Sequence, residues 1–401
     1  MTKVVTSKVL GTFGGALIVT GTSVGAGMLA LPVVTSPAGF FPSIAVLIVC
    51  WAFMTITGLL FAELSLWLKK EANILSMAKK TLGGVGAAVT WVLYLFLFYC
   101  LTVAYLVGGA NFVTDVTGPA LSDAARVGLV AFLLIALVAQ GRKIVDPINR
   151  FLMIGLFIAY GGFVLIGSPS VRLELLQLGE WSKGLYALPV AFTSFGFQGT
   201  VPTLASWMHY DAAKLRRSII IGTSITLLIY LVWQWLFLGI VPQEGPHGLV
   251  ETLKAGQDAV HPLHYFTNNQ AIWTLGRAFA FFALATSTLG VGVGLVDFLA
   301  DGLGISKKGV SKKALLLTLA FGVPLLLATA YPHVFLQALG LAGGFGCALL
   351  LGVLPIVMVW KAENSLGLVI SRPSWVFSRP ALTCLLIFVI FEIGIEFSSL
   401  F

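Results

Sequence analysis

Two short stretches place glycines and hydroxyls where an apolar helix would otherwise run. The first is Gly21-Thr22-Ser23-Val24-Gly25-Ala26-Gly27, with three glycines and two hydroxyl residues in seven positions. The second is Phe192-Thr193-Ser194-Phe195-Gly196-Phe197-Gln198-Gly199-Thr200-Val201-Pro202. Glycine weakens a helix interior, and proline removes a donor and clashes with the preceding turn, so both stretches predict a helix break. A break leaves unpaired N–H groups and a positive dipole end at one half-helix, and freed carbonyls at the other. The first suits an anion, the second a cation, and a zwitterionic amino acid carries both. The backbone from Thr22 and Ser23 through Gly25, Ala26 and Gly27 is therefore expected to receive a carboxylate, and carbonyls near Phe192, Thr193 and Phe195 an ammonium. Phe195, Phe197 and Gln198 offer two rings and an amide, able to clamp a flat side chain and reach a phenol hydroxyl or an indole N–H. For either stretch alone, small residues that only let helices pack closely would serve as explanation.

Other candidate chemistries are thinner. Thr286-Ser287-Thr288 places three hydroxyls within an apolar span, where they bond back to their own helix or serve a polar site. Acids within spans are few: Glu63 and Asp297 near basic loops, and Glu392 and Glu396 near the far end of the last span. Such acids are functional candidates; here salt bridging or snorkelling to water is expected for all four, with Glu63 the best candidate for a proton relay. His247, His261 and His264 share one loop at irregular spacing and read as solvated residues, with no transition metal expected. Cys50, Cys100, Cys347 and Cys384 follow no metal or disulfide pattern and read as small core residues. No HExxH, GxSxG or phosphate-binding motif appears, which argues against an enzyme and an ATP-driven pump. No organic cofactor is implied.

The elements that must position these groups are membrane helices. The 401 residues are 58% hydrophobic and 10% charged, with mean hydropathy +0.98, against about 25% charged in soluble domains. Apolar segments long enough to span a bilayer fall at about 9–35, 40–68, 86–111, 124–141, 150–168, 185–208, 218–241, 271–300, 314–331, 335–360 and 378–399, eleven in all. The first lacks a small-residue cleavage site and reads as a retained helix. With the N-terminus inside, nineteen of the 24 Lys and Arg fall on cytoplasmic loops: Lys3, Lys8, Lys69, Lys70, Lys79, Lys80, Arg142, Lys143, Arg150, Lys214, Arg216, Arg217, Lys307, Lys308, Lys312, Lys313, Lys361, Arg372 and Arg379. The positive-inside rule then puts the C-terminus outside. The net charge of +8 is spread over these loops, so no nucleic-acid partner is implied. Residues 69–84, with Ile74, Leu75 and Met77 among lysines, suit a short amphipathic helix on the cytoplasmic surface.

The two breaks lie in the first and sixth spans, five spans apart, and an odd offset inserts the second five-helix unit upside down. Inverted repeats of this kind build many secondary transporters. The expected organisation is a single transmembrane unit, all-α, with a first repeat at about 9–168, a second at about 185–360 and an extra helix at about 378–399. Unwound backbone in hydrocarbon is tolerated only where it lines a cavity or is buried in protein, so a site is expected between the breaks near the midplane. A channel would need polar backbone at depth too, but pores usually arise by symmetric repetition about an axis.

At these residues the chain resembles the aromatic amino acid permeases of bacteria, the tyrosine-specific and tryptophan-specific transport proteins, within the larger group sharing the leucine-transporter fold. The resemblance covers Gly21–Pro32, Tyr99–Gly109, Asn149-Arg150-Phe151, Phe192–Pro202, Leu284–Asp301 and Tyr331–Gly340, in order along nearly the whole chain. It implies an 11-span symporter of the bacterial inner membrane importing tyrosine, or next tryptophan, with Tyr99 added to the substrate-binding candidates. It also implies a sodium site on the first break and the eighth span, matched here by Gly21, Val24, Ala283, Thr286 and Ser287. Proton-coupled relatives often place a lysine from the fifth span there, and 151–168 contains no Lys or Arg, so H+ and Na+ both stay open. Gln198 stands where tyrosine permeases tend to carry histidine, leaving tyrosine, tryptophan and phenylalanine open, as well as another small amino acid or amine. The partners implied are the amino acid and the lipid bilayer, with a monomer plausible.

Overall fold

The computed structural model describes residues 10–69, 73–267, 269–307, 309–367 and 378–399; Lys3, Lys8, Lys70, Lys308 and Arg372 of the charge pattern lie outside them. Among the described residues every regular element is a helix. In chain order the helices used below are α1 (Thr12–Ser23), α2 (Ala26–Thr35), α3 (Phe40–Leu68), α4 (Ile74–Thr117), α5 (Asp123–Gln140), α6 (Arg142–Gly167), α7 (Leu188–Ser194) and α8 (Val201–Trp207). They continue as α9 (Ala212–Ile240), α10 (Gln270–Gly302), α11 (Val310–Ala330), α12 (Phe335–Leu341), a π-helical stretch (Ala342–Val353), α13 (Leu354–Ser365) and α14 (Arg379–Ser399).

Nine helical segments are long and apolar enough to cross a membrane among the described residues, and α1 with α2, bent by 59° at Val24-Gly25, make a tenth. The eleventh expected segment, 185–208, consists of α7, a 3-10 turn at Gln198–Thr200 and α8, each too short to span alone. The protein is a multi-pass membrane protein. Its large apolar surface, with Phe13, Phe132, Phe151 and Leu326 among the exposed side chains, is what lipid contact requires.

Both breaks occur where glycine and proline place them. α1 ends as Val24 turns to an extended conformation, and Gly25 is extended before α2 begins. α7 ends at Phe195, and α8 restarts with Pro202 in its first turn, where a missing N–H costs nothing. The amphipathic helix expected over 69–84 is the first segment of α4, which Asn73 caps through the Ser76 amide and which kinks at Gly83, φ +76°. α1 packs along α9, α2 against α7, and α10 along α6, so the breaks are enclosed by protein.

Candidate functional site

Between the breaks lies a cavity of about 480 Å³, within the size range of small-molecule sites. The whole first break, Gly21 to Gly27, lines it, as do Thr193, Ser194, Gly196, Phe197 and Gln198 from the second, and Thr286 and Ser287 from α10. From α4 come Tyr94, Leu97, Phe98, Leu101 and Tyr105, spaced as one face of a helix and reaching about 16 Å along it. α6 adds Asn149 and Met153.

The contacts that hold the breaks open are specific. The Ala26 amide donates to the Ser287 hydroxyl at 3.0 Å, tying the start of α2 to α10. The Tyr230 hydroxyl on α9 sits 2.7 Å from the Ser23 carbonyl and 2.6 Å from the Ser194 carbonyl, joining one break to the other. Glycine is required at the closest approaches. A Cβ on Gly25 would lie 2.3 Å from the Ser287 hydroxyl, and one on Gly27 would lie 2.8 Å from the Ser194 hydroxyl.

Several expected residues sit elsewhere or are otherwise engaged. Tyr99 is not on the cavity face: its hydroxyl donates to the Leu319 carbonyl of α11 at 2.6 Å. Phe192 is buried in a stack with Phe53, centroids 5.0 Å apart, and Phe195 packs edge-on to Tyr230. Of the carbonyls expected to take an ammonium, that of Thr193 accepts from Gly196 and that of Ser194 from Tyr230. Gln198 lines the cavity, yet its amide serves the scaffold, donating to the Met54 carbonyl and the Thr57 hydroxyl while accepting from the Phe197 amide. Among the expected ion ligands, Gly21, Val24, Thr286 and Ser287 line the cavity, whereas Ala283 is fully buried outside the lining. The Thr286 hydroxyl bonds back to the Phe282 and Ala283 carbonyls.

The acids divide in two. Glu63 is buried and paired with Arg216, whose Nε donates at 2.7 Å, and Asp297 is paired with Arg142 and Lys307. Among the described residues Glu392 and Glu396 make no such bridge, and they do not snorkel: both are buried within the protein. Of the loop histidines, His261 is half-buried and meets Asp115 at 3.0 Å, which corrects its reading as solvated, whereas His247, stacked on Tyr265, and His264 are exposed. The four cysteines are free thiols, and Cys384, expected in the core, is exposed.

Sequence reasoning missed Tyr94, Tyr105, Asn149 and Tyr230. The Asn149 amide oxygen is buried at the cavity wall with no hydrogen-bond partner among the described residues. Only the helical spacing of the α4 residues was readable beforehand.

Two discontinuous helices packed around a central cavity in a membrane bundle define the leucine-transporter class of fold. The sequence profile of the tryptophan/tyrosine permease family matches residues 8–395, and the chain belongs to that family. It is 32% identical to tyrosine-specific transport system 1 of Haemophilus influenzae over 88% of this chain and 89% of that one. It is 32% identical to the tryptophan-specific transport protein of Pseudomonas aeruginosa, covering 94% and 91%. In structure it is similar to MhsT in complex with L-phenylalanine, with a TM-score of 0.68 at 16% identity over 97% and 98% of the chains.

Proposed function

We propose that the chain is a secondary active transporter that imports tyrosine or tryptophan across the bacterial inner membrane by symport with H+ or Na+. The observation that carries this is the cavity itself, which opens on the first break and is walled by Tyr94, Phe98, Tyr105 and Phe197. The N-terminus of α2 directs its positive dipole end at the cavity and receives the substrate carboxylate around Gly25–Gly27. The rings hold the flat side chain, and the unpaired Asn149 oxygen accepts from a phenol hydroxyl, an indole N–H or the ammonium. For Na+, the oxygens of Gly21, Val24, Thr286 and Ser287 are the ligands, once Thr286 turns from its own helix. The relatives named for tyrosine and tryptophan transport support an aromatic substrate. The lysine and arginine distribution supports an N-terminus inside and a C-terminus outside, and the odd offset of the breaks supports repeats at about 9–168 and 185–360.

The test is uptake of radiolabelled tyrosine into proteoliposomes under a sodium gradient or a proton gradient, competed by tryptophan, phenylalanine, leucine and glutamine. Uptake driven by one gradient and blocked by the aromatics is the expected result. Competition by leucine or glutamine but by no aromatic would overturn the substrate assignment.

A further inference from the structure

We propose that Glu392, on α14, is a proton-binding site that loads and unloads during transport; the coupling part of this inference rests on the symport reading above. Glu392 is 0% exposed, and neither carboxyl oxygen has a hydrogen-bond partner among the described residues. A carboxylate in a dry interior needs a counter-charge or several donors, and leaving one without either costs several kcal/mol. Among the described residues no cation supplies that. α14 packs on the π-helical stretch, on α7 and on the turn at Trp181–Ala187. The π-helical stretch contributes Cys347 and α7 contributes no ionisable group; the turn contributes Tyr186 and Lys183, both exposed, the lysine paired with Glu180 at 3.0 Å. The other groups near enough to feel the charge are Glu396, one turn further along α14, and Cys50 of α3. The packing therefore holds Glu392 as the neutral acid, with its proton bound.

The position of this acid connects it to the transport site. The π-helical stretch separates it from the cavity, and Cys347 on that stretch lines the cavity. The same stretch is keyed to the second break. A Cβ on Gly343 would lie 1.6 Å from the Pro189 carbonyl of α7, and in α12, which runs directly into the stretch, the Leu339 carbonyl accepts from the Thr193 hydroxyl at 2.8 Å. On the other side, a Cβ on Gly344 would lie 2.4 Å from the Glu396 side chain. π-helical insertions are sparsely stable and gather at functional sites. When α7 moves with substrate, the stretch moves with it. Water that then reaches Glu392 stabilises the carboxylate, and the proton leaves to that water. Return of the packing recaptures a proton. Glu396, 5% exposed and next to the Ser399 hydroxyl, is the step between Glu392 and the helix end.

The experiment uses the purified full chain and its Glu392→Gln, Glu392→Asp and Glu396→Gln variants. Infrared spectroscopy at neutral pH reads the C=O stretch of a protonated carboxylic acid, and proteoliposomes read tyrosine uptake with and without a pH gradient. Expected is a carboxylic-acid band in the wild type that Glu392→Gln removes, and a gradient-driven acceleration that this variant loses and Glu392→Asp returns in part. Glu396→Gln is expected to keep the band and slow the acceleration. The glutamine variant's melting midpoint at or above that of the wild type shows that it folds. An unchanged band in Glu392→Gln, an unchanged acceleration in that variant, or wild-type uptake indifferent to the pH gradient would each overturn the proposal. A wild type that exchanges no aromatic amino acid overturns the substrate reading and the coupling together, while the infrared band still decides whether Glu392 holds a proton.

Discussion

The backbone amide of Ala26 donates to the hydroxyl of Ser287 at 3.0 Å, so the first residue of α2 is anchored to α10 at the point where the first helix breaks. That amide is one of the unpaired donors every helix start carries, and here a side chain from a distant span satisfies it. The same hydroxyl leaves no room for a side chain at position 25. Replacing Gly25 by valine is expected to abolish tyrosine uptake while the protein still inserts and purifies as a single species. Uptake at the wild-type rate in that variant would show that substrate does not approach the break.

Tyr230 makes the corresponding link between the two breaks, through the Ser23 and Ser194 carbonyls. Tyr230→Phe keeps the ring against Phe195 and deletes only the hydroxyl. Loss of a buried partner for a carbonyl costs about 1–3 kcal/mol, and about 1.4 kcal/mol is tenfold in an equilibrium constant. The variant is expected to bind tyrosine about tenfold more weakly, with a lower melting midpoint. Titration calorimetry in detergent measures the first and a thermal scan the second; wild-type values of both would remove Tyr230 from the site's framework.

The breaks were legible in the sequence because Gly25, Gly27, Gly196 and Pro202 act through the backbone, and backbone effects depend on residue type alone. Most of the cavity wall was not. α3 and the π-helical region are apolar on nearly every face, so no periodicity marks the side turned inward. α4 is the exception: Tyr94, Leu97, Phe98, Leu101 and Tyr105 follow the 3, 4, 7 spacing of one helical face. Tyr99, adjacent to Phe98, is turned by about 100° and must face elsewhere. Gln198 was legible as a polar group at the break, but its partners, Met54 and Thr57, lie in another span and fix it to the scaffold. The unpaired state of Glu392 is a tertiary fact, since nothing nearby in sequence tells which spans meet it.

Gln198→Leu tests that reassignment. Removing the amide leaves the Met54 carbonyl and the Phe197 amide without it, and the expected loss is about 1–3 kcal/mol of stability. A lowered melting midpoint with tyrosine still preferred over leucine in competition fits a scaffold role. A switch of preference towards leucine at unchanged stability would return Gln198 to the substrate contacts.

Glu63 and Arg216 form the other decisive pair. Glu63 is 4% exposed, so removing Arg216 alone strands a buried charge, which typically costs 3–5 kcal/mol, whereas removing both partners costs less. The double variant Glu63→Gln with Arg216→Met is expected to be more stable than Arg216→Met alone, as read from the melting midpoints. If Glu63 relays protons, Glu63→Gln instead loses gradient-driven uptake at normal stability.

The pH response of the loop between α9 and α10 follows from three residues outside the breaks. The Ala259 amide donates to the Leu29 carbonyl at 3.0 Å, so this loop is tied directly to α2. On either side of that tie, His261 pairs with Asp115, and Asp258 is buried. Donating its Nδ1–H to the Asp115 carboxylate raises the affinity of His261 for its proton, and burial pushes Asp258 up to about 6. Both groups thus hold protons more tightly folded than unfolded, and each contribution has the same sign: it is fully present at low pH and is lost as pH rises through the folded-state value. For Asp258 the loss sets in above the ordinary carboxylate range and is largely complete once the pH has passed about 6, and it continues as His261 deprotonates. Hydrogen exchange, corrected for its intrinsic pH dependence, is expected to show residues 258–261 better protected at about pH 5 than at about pH 8. His261→Gln should flatten much of that difference, leaving the part due to Asp258. Protection that rises with pH in the wild type would mean that the loop is held by something other than this pair.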